Sequence, residues 1–147
     1  MAPRTVAPAT KPRPKAKAVI KAPLRKKLVA GEDAPVGYSP EVWGPHMWFV
    51  FHLVAATYPV SPKSEDKANY MAFYKSLQHV LPCPGCRMGY RTIIASDPTR
   101  LSTRTMSSRD ALFKWTVDAH NRVNAKLGKP VYADWQGWYK EYDKLRQ

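Results

Sequence analysis

Cys83-Pro84-Gly85-Cys86 holds the chain's two cysteines. A bridge between residues this close closes too short a loop to staple a fold, and two thiols fall short of the four ligands of a structural zinc site. The spacing suits a disulfide that opens and closes during turnover, or half of a metal site. The thiolate is the reactive form, and a C-x-x-C at a helix N-terminus has its thiol pKa lowered by the helix dipole. What surrounds the pair therefore decides its chemistry.

The surroundings read as helices. From 40 to 58, apolar side chains recur at Trp43, Met47, Val50, Phe51, Val54 and Tyr58, which is helical spacing. Ser39-Pro40 is a cap and first-turn pair, and Pro59 a stop. A second helix runs from Ser64 to about Leu81, and a third from Cys83 or Pro84 to about Ile94. A fourth starts after Ser107 or Ser108 and continues to Leu127, with Gly128 and Pro130 as its stop signals. Trp135 to Leu145 reads as a short fifth. No strand pattern competes, so the predicted fold is all-α, a four-helix bundle plus one short helix. This setting separates the motif from thioredoxin-like proteins, whose C-x-x-C needs a βαβ unit.

The charge is uneven. Residues 1–38 hold 9 Lys/Arg against Glu32 and Asp33, a net of +7; the remaining 15 basic and 9 acidic residues give +6, completing the total of +13. Seven of the 14 prolines fall in the first 40 residues, and no aromatic precedes Tyr38. Such a segment cannot bury enough apolar surface to offset its ordering entropy, so 1–38 is expected to be a tail and 39–147 the folded domain. The tail's charge suits non-specific contact with nucleic acid or another polyanion, and equally a solvated extension. It lacks the apolar stretch of a secretory signal, and its prolines at 3, 8, 12 and 14 oppose the amphipathic helix of a mitochondrial presequence. The longest apolar run, Met47 to Tyr58, is too short to span a membrane.

Two polar pairs sit on helix faces that should be apolar. Trp48 and His52 are one turn apart on the first helix, with the small Ala55 and Ala56 beyond them, which leaves room for something flat. His120 and Asn124 share one face of the fourth. A histidine on a helix is ordinarily a satisfied core or surface residue, but a buried His/Asn pair without partners is costly, which favours a polar ligand. Lys126 and Lys129 nearby could meet phosphates.

In order and spacing, Trp43-Gly-Pro-His-Met-Trp48-Phe-Val-Phe-His52, Tyr58-Pro59, Cys83-Pro-Gly-Cys86 and His120-Asn-Arg-Val-Asn124-Ala-Lys126-Leu-Gly-Lys129-Pro130 resemble the Erv/ALR family of FAD-linked sulfhydryl oxidases, over about residues 39–132. Trp43-Gly-Pro-His looks closest to the minimal enzymes of large DNA viruses. The resemblance implies four helices around one FAD, a short fifth helix, and a homodimer. It implies that Trp48 and His52 line the isoalloxazine, that His120 and Asn124 hold the adenine end, and that Lys126 approaches the pyrophosphate. Trp135 or Trp138 would be the aromatic near the adenine. Cys86 would be the flavin-side thiol, and Cys83 the one that exchanges with substrate.

The chain departs from the family pattern in lacking the structural disulfide between the last helices and a shuttle cysteine pair. The implied function is oxidation of dithiol proteins to disulfides, with electrons passed to oxygen to give hydrogen peroxide and no metal. The expected location is the virion or a viral factory in the host cytoplasm, with the mitochondrial intermembrane space as alternative. Two other readings are a degenerate virion structural or nucleic-acid-packaging protein, and a zinc module using Cys83, Cys86 and His79 with a fourth ligand such as His52.

Overall fold

The structure, a computed structural model, describes residues 37–147. They belong to one compact unit. The expectations for the tail lie outside the described residues, apart from Gly37 and Tyr38. The described residues form five helices and no strand: α1 (Pro40–Ala56), α2 (Ser64–Val80), α3 (Pro84–Ala95), α4 (Arg109–Lys126) and α5 (Trp135–Asp143). α1 packs on α4, α2 on α3, and α5 lies across both α1 and α4. The all-α bundle with a short fifth helix is thus the observed architecture. None of these helices is long and apolar enough to cross a membrane.

The helix ends differ from the expected ones by a residue or two, for local reasons. α1 stops at Ala56 because Thr57 caps it, its hydroxyl donating to the Val54 carbonyl at 2.8 Å. Tyr58 is then free to turn inward and donate to the Met106 carbonyl at 3.0 Å. In α2 the cap position falls to Lys63, since the Asp66 carboxylate accepts the Lys63 amide at 2.8 Å; Ser64 lies inside the first turn. α4 is capped by Ser108, whose hydroxyl accepts from the Ala111 amide at 3.1 Å. Gly128 supplies the left-handed residue after α4, at φ 65°, where a side chain would be strained.

The core is aromatic and fully paired. Tyr74 donates to the Phe51 carbonyl at 2.9 Å and Tyr90 to the Tyr74 carbonyl at 2.9 Å, so α1, α2 and α3 are tied by buried phenols. Trp115 donates its indole N–H to Thr99 O at 2.8 Å. Among the described residues no buried side-chain nitrogen or oxygen lacks a partner. That matters because an unpaired buried polar group costs about 1–3 kcal/mol.

Candidate active site

Cys83 and Cys86 are joined in a disulfide, with Cα atoms 5.1 Å apart. The link from α2 to α3 sets their positions. Leu81 leaves the helical conformation, Cys83 stands at the N-cap of α3, and Pro84 fills its first position, where a missing N–H costs nothing. The Cys86 amide donates to Cys83 Sγ at 3.1 Å, so the start of α3 points an N–H at that sulfur. Arg87 braces the turn from below, its Nε donating to Leu81 O at 2.8 Å. Pro84 and Gly85 are exposed, whereas Cys86 packs against the hydrophobic core. Both cysteines are half-buried, and of the two it is Cys86 that packs against the core cluster.

The chain enters the domain beside this turn. The Tyr38 amide donates to the Pro82 carbonyl at 2.7 Å, and Trp43 Nε1 donates to the Tyr38 carbonyl at 3.1 Å. A side chain at Gly37 would meet Pro84 Cδ at 3.3 Å, so this close approach suits glycine. Tyr38, Ser39, Val42, Trp43 and Pro82 line an apolar groove there.

The two histidine-bearing faces meet. His52 is fully buried on α1; its Nδ1 lies 2.9 Å from Thr116 Oγ1, and its Nε2 lies 3.0 Å from His120 Nδ1. Trp48 stacks on His120 with ring centres 4.0 Å apart and planes 8° apart. Burial, then the neighbouring His120, pushes His52 down to about 3; burial, then Lys129, pushes His120 down to about 4. Both rings are neutral at physiological pH. Trp48 also meets Phe51 at 5.1 Å, and Phe51 meets Tyr90 at 6.2 Å. Tyr90 is one turn beyond Cys86 on α3, so a run of ring contacts links the histidines to the helix that carries the core-side sulfur.

Not every expected residue joins this cluster in the expected way. Asn124 is buried one turn beyond His120, but its Nδ2 donates to Pro130 O at 3.1 Å, so it braces the loop after α4. Lys126 is exposed at the end of α4. Trp135 packs on the core, but among the described residues the α5 tryptophan whose ring meets both histidines is Trp138, 4.9 Å from His52 and 5.6 Å from His120. Tyr132 stacks on Trp138 at 3.9 Å, and Tyr142 lies 5.7 Å from His52. Sequence reasoning missed Thr116, Asn121, Tyr132 and Tyr142 as polar or ring-stacking partners of this cluster. The i−4 spacing of Thr116 from His120 is the one available signal.

This donor set fits a flavin adenine dinucleotide. Stacked indole, imidazole and phenol rings suit flat heterocycles. Among the described residues His120 Nε2 makes no hydrogen bond, which leaves one polar atom to address a ligand. Lys126 and Lys129, both exposed and outside any described ion pair, suit a diphosphate. A zinc site does not fit, because the two sulfurs are bonded to each other.

Comparison with known proteins agrees with the geometry. Residues 45–143 match the model of the Erv1 / Alr family, and the chain belongs to that family. It is 45% identical, over 93 residues, to the probable FAD-linked sulfhydryl oxidase R368 of Acanthamoeba polyphaga mimivirus, covering 63% of this chain and 64% of that one. It is 33% identical over 102 residues to the mitochondrial FAD-linked sulfhydryl oxidase ERV1 of Saccharomyces cerevisiae, covering 69% of this chain and 51% of that one. The chain thus spans under two thirds of either relative. The crystal structure of the FAD binding domain of Erv1 from Saccharomyces cerevisiae is similar with a TM-score of 0.65 and 31% identity, over 73% of this chain and 96% of that one.

Proposed function

We propose that the chain is an FAD-dependent thiol oxidase that forms disulfide bonds in dithiol proteins. The observation that carries this reading is the Cys83–Cys86 disulfide at the N-terminus of α3, with Cys86 packed against the core. A substrate thiolate attacks Cys83 Sγ, and the Cys83–Cys86 bond breaks, leaving Cys86 as thiolate. The second substrate thiolate attacks its partner in the mixed disulfide and expels Cys83. The substrate has lost two electrons and two protons, and the cysteine pair has gained two electrons. Expulsion of Cys83 is assisted by the Cys86 amide and the helix dipole, which stabilise negative charge on that sulfur.

FAD, when bound, supplies the two-electron acceptor that returns the pair to the disulfide and passes the electrons to dioxygen as hydrogen peroxide. The balance is 2 R–SH + O2 → R–S–S–R + H2O2. Trp48, His120 and Trp138 would hold it, with His52 supporting His120 from behind and Lys126 and Lys129 near its diphosphate. His120 Nε2 would orient it by a hydrogen bond without adding charge, with His52 behind that ring fully buried and bonded at both nitrogens.

A homodimer is supported by one face of α1, where Val42, Phe49 and Val50 stay 58%, 46% and 44% exposed. The mimivirus relative supports a viral setting, virion or factory, over a mitochondrial one. The basic residues of the tail support non-specific polyanion contact.

Purified protein should be yellow, carry about one FAD per chain, and consume oxygen with peroxide formation when given a reduced dithiol protein. A colourless chain that takes up no FAD on refolding would return it to the structural or packaging reading.

A further inference from the structure

The geometry points to Thr116 as a positioning residue that fixes the tautomers of His52 and His120, so that His120 offers Nε2 as a hydrogen-bond acceptor to the bound dinucleotide. This rests on the FAD reading above.

The Thr116 hydroxyl has a single proton, and Thr116 donates it to the Phe113 carbonyl at 2.6 Å. His52 Nδ1 lies 2.9 Å from that same oxygen, so the bond there exists only if Nδ1 carries the proton. A neutral His52 protonated on Nδ1 has a lone pair on Nε2. His120 Nδ1 lies 3.0 Å from that lone pair and must be the donor. His120 is then Nδ1–H, and its Nε2 is an unprotonated acceptor. The helix carbonyl of Phe113 thus sets, through one hydroxyl and one buried ring, the hydrogen-bonding sense of the atom that faces a ligand.

The consequence is selective. Nε2 of His120 accepts from an N–H or O–H, such as a heterocycle amine, imide or sugar hydroxyl of FAD, and repels a ligand carbonyl or phosphate oxygen. Without the Thr116 hydroxyl nothing holds the proton on His52 Nδ1. It can move to Nε2 and donate to His120 Nδ1, and His120 would then present an Nε2–H donor to the same ligand group. The ring positions would be unchanged and the polarity inverted.

The test uses the full FAD-loaded chain with 15N-labelled histidine and long-range 1H–15N spectra, which separate Nδ1–H from Nε2–H tautomers. The chain has 4 histidines, and the exposed His46 and His79 serve as internal references. At neutral pH, His52 and His120 should both read Nδ1–H. Thr116→Val should shift both protons to Nε2 and weaken FAD binding about tenfold in a fluorescence titration, the worth of one hydrogen bond. Thr116→Ser should restore both readouts. If Thr116→Val fails to fold, the unsubstituted protein and Thr116→Ser still decide. A proton on His120 Nε2 in the unsubstituted protein overturns the relay and leaves the oxidase reading standing. So does a Thr116→Val protein with unchanged tautomers and FAD affinity. A chain with both Nδ1–H tautomers that takes up no FAD overturns the oxidase reading and not the relay.

Discussion

Asn121 grips Tyr132 with both ends of its amide. Its Nδ2 donates to the Tyr132 carbonyl at 2.8 Å, and the Tyr132 amide donates to Asn121 Oδ1 at 2.7 Å. This is a side chain mimicking a strand partner, and it pins the loop between α4 and α5. The Asn124 bond to Pro130 pins the same loop two residues earlier. In this chain, whose two cysteines are both in the C-x-x-C, these amides tie the connection between the last two helices, beside the ring contacts of Phe113 with Tyr139 and Tyr142. Tyr132 in turn stacks on Trp138, which meets both histidines. Asn121→Ala should therefore cost about 1–3 kcal/mol of stability, as expected when two bonds are lost and backbone groups are left to water. It should also weaken FAD binding, although Asn121 lies behind the ring cluster. Denaturant melts with and without excess FAD measure both; a stability loss with FAD affinity untouched would confine Asn121 to the loop.

The two sulfurs should behave differently. Cys83→Ala and Cys86→Ala should each abolish oxidation of a protein dithiol while FAD stays bound. Cys83→Ala leaves Cys86 on the core side as a lone thiolate, and this variant should show a long-wavelength absorption band. Absorption spectra of the two variants decide the matter. A band confined to Cys86→Ala would exchange the roles assigned here.

The helices are legible in the sequence because their signals are local. Ser108, Pro84 and Gly128 act within one turn of where they stand. The pairing of His52 with His120 is half legible: each lies on a face where a polar ring needs a partner, but the sequence does not reveal that the partner is the other histidine, 68 positions away. Asn124 stands out for the same reason as a ligand residue, yet its partner, Pro130 O, is a backbone atom with no sequence signature. That Trp138 meets both histidines follows from the packing of α5 on α1 and α4, a tertiary matter. Thr116 passes for an ordinary member of the apolar stripe, because its spacing from His120 marks a shared face but not what its hydroxyl touches.

Acid should destabilise the protein well above the carboxylate range. Histidine in the unfolded chain titrates near 6.5, whereas burial holds His52 at about 3 and His120 at about 4. Below 6.5 the unfolded state takes up protons that the folded state refuses, so the folded state loses ground. That loss continues until pH falls through the folded values. A tenfold difference in proton affinity between the two states is worth about 1.4 kcal/mol, so the buried His52 should bring a loss on the order of a few kcal/mol by pH ~4, with the partly exposed His120 adding less. Melting temperature against pH tests this. His120→Asn should flatten the slope, and a flat profile in the unsubstituted protein would mean that the imidazoles are not held neutral.

Removing residues 1–36 should leave turnover of a small dithiol such as dithiothreitol intact. The segment has no cysteine, so it cannot carry electrons, and no aromatic, so it adds little to the core. It does hold the chain's densest positive charge, so its loss should reduce retention on nucleic acid or heparin, and the retention of the full chain should fall steeply with salt. The cut must stop there. Tyr38 donates its amide to Pro82 and lends its carbonyl to Trp43, which fixes the approach to Cys83. Extending the deletion through Ser39 removes both bonds and the N-cap of α1, and should lower stability and dithiothreitol turnover together. Oxygen uptake and thermal melts of the two truncations, measured side by side, separate the cases. Loss of FAD or of turnover on removing only 1–36 would show that this segment folds against the bundle, and that its composition is a poor guide to its role.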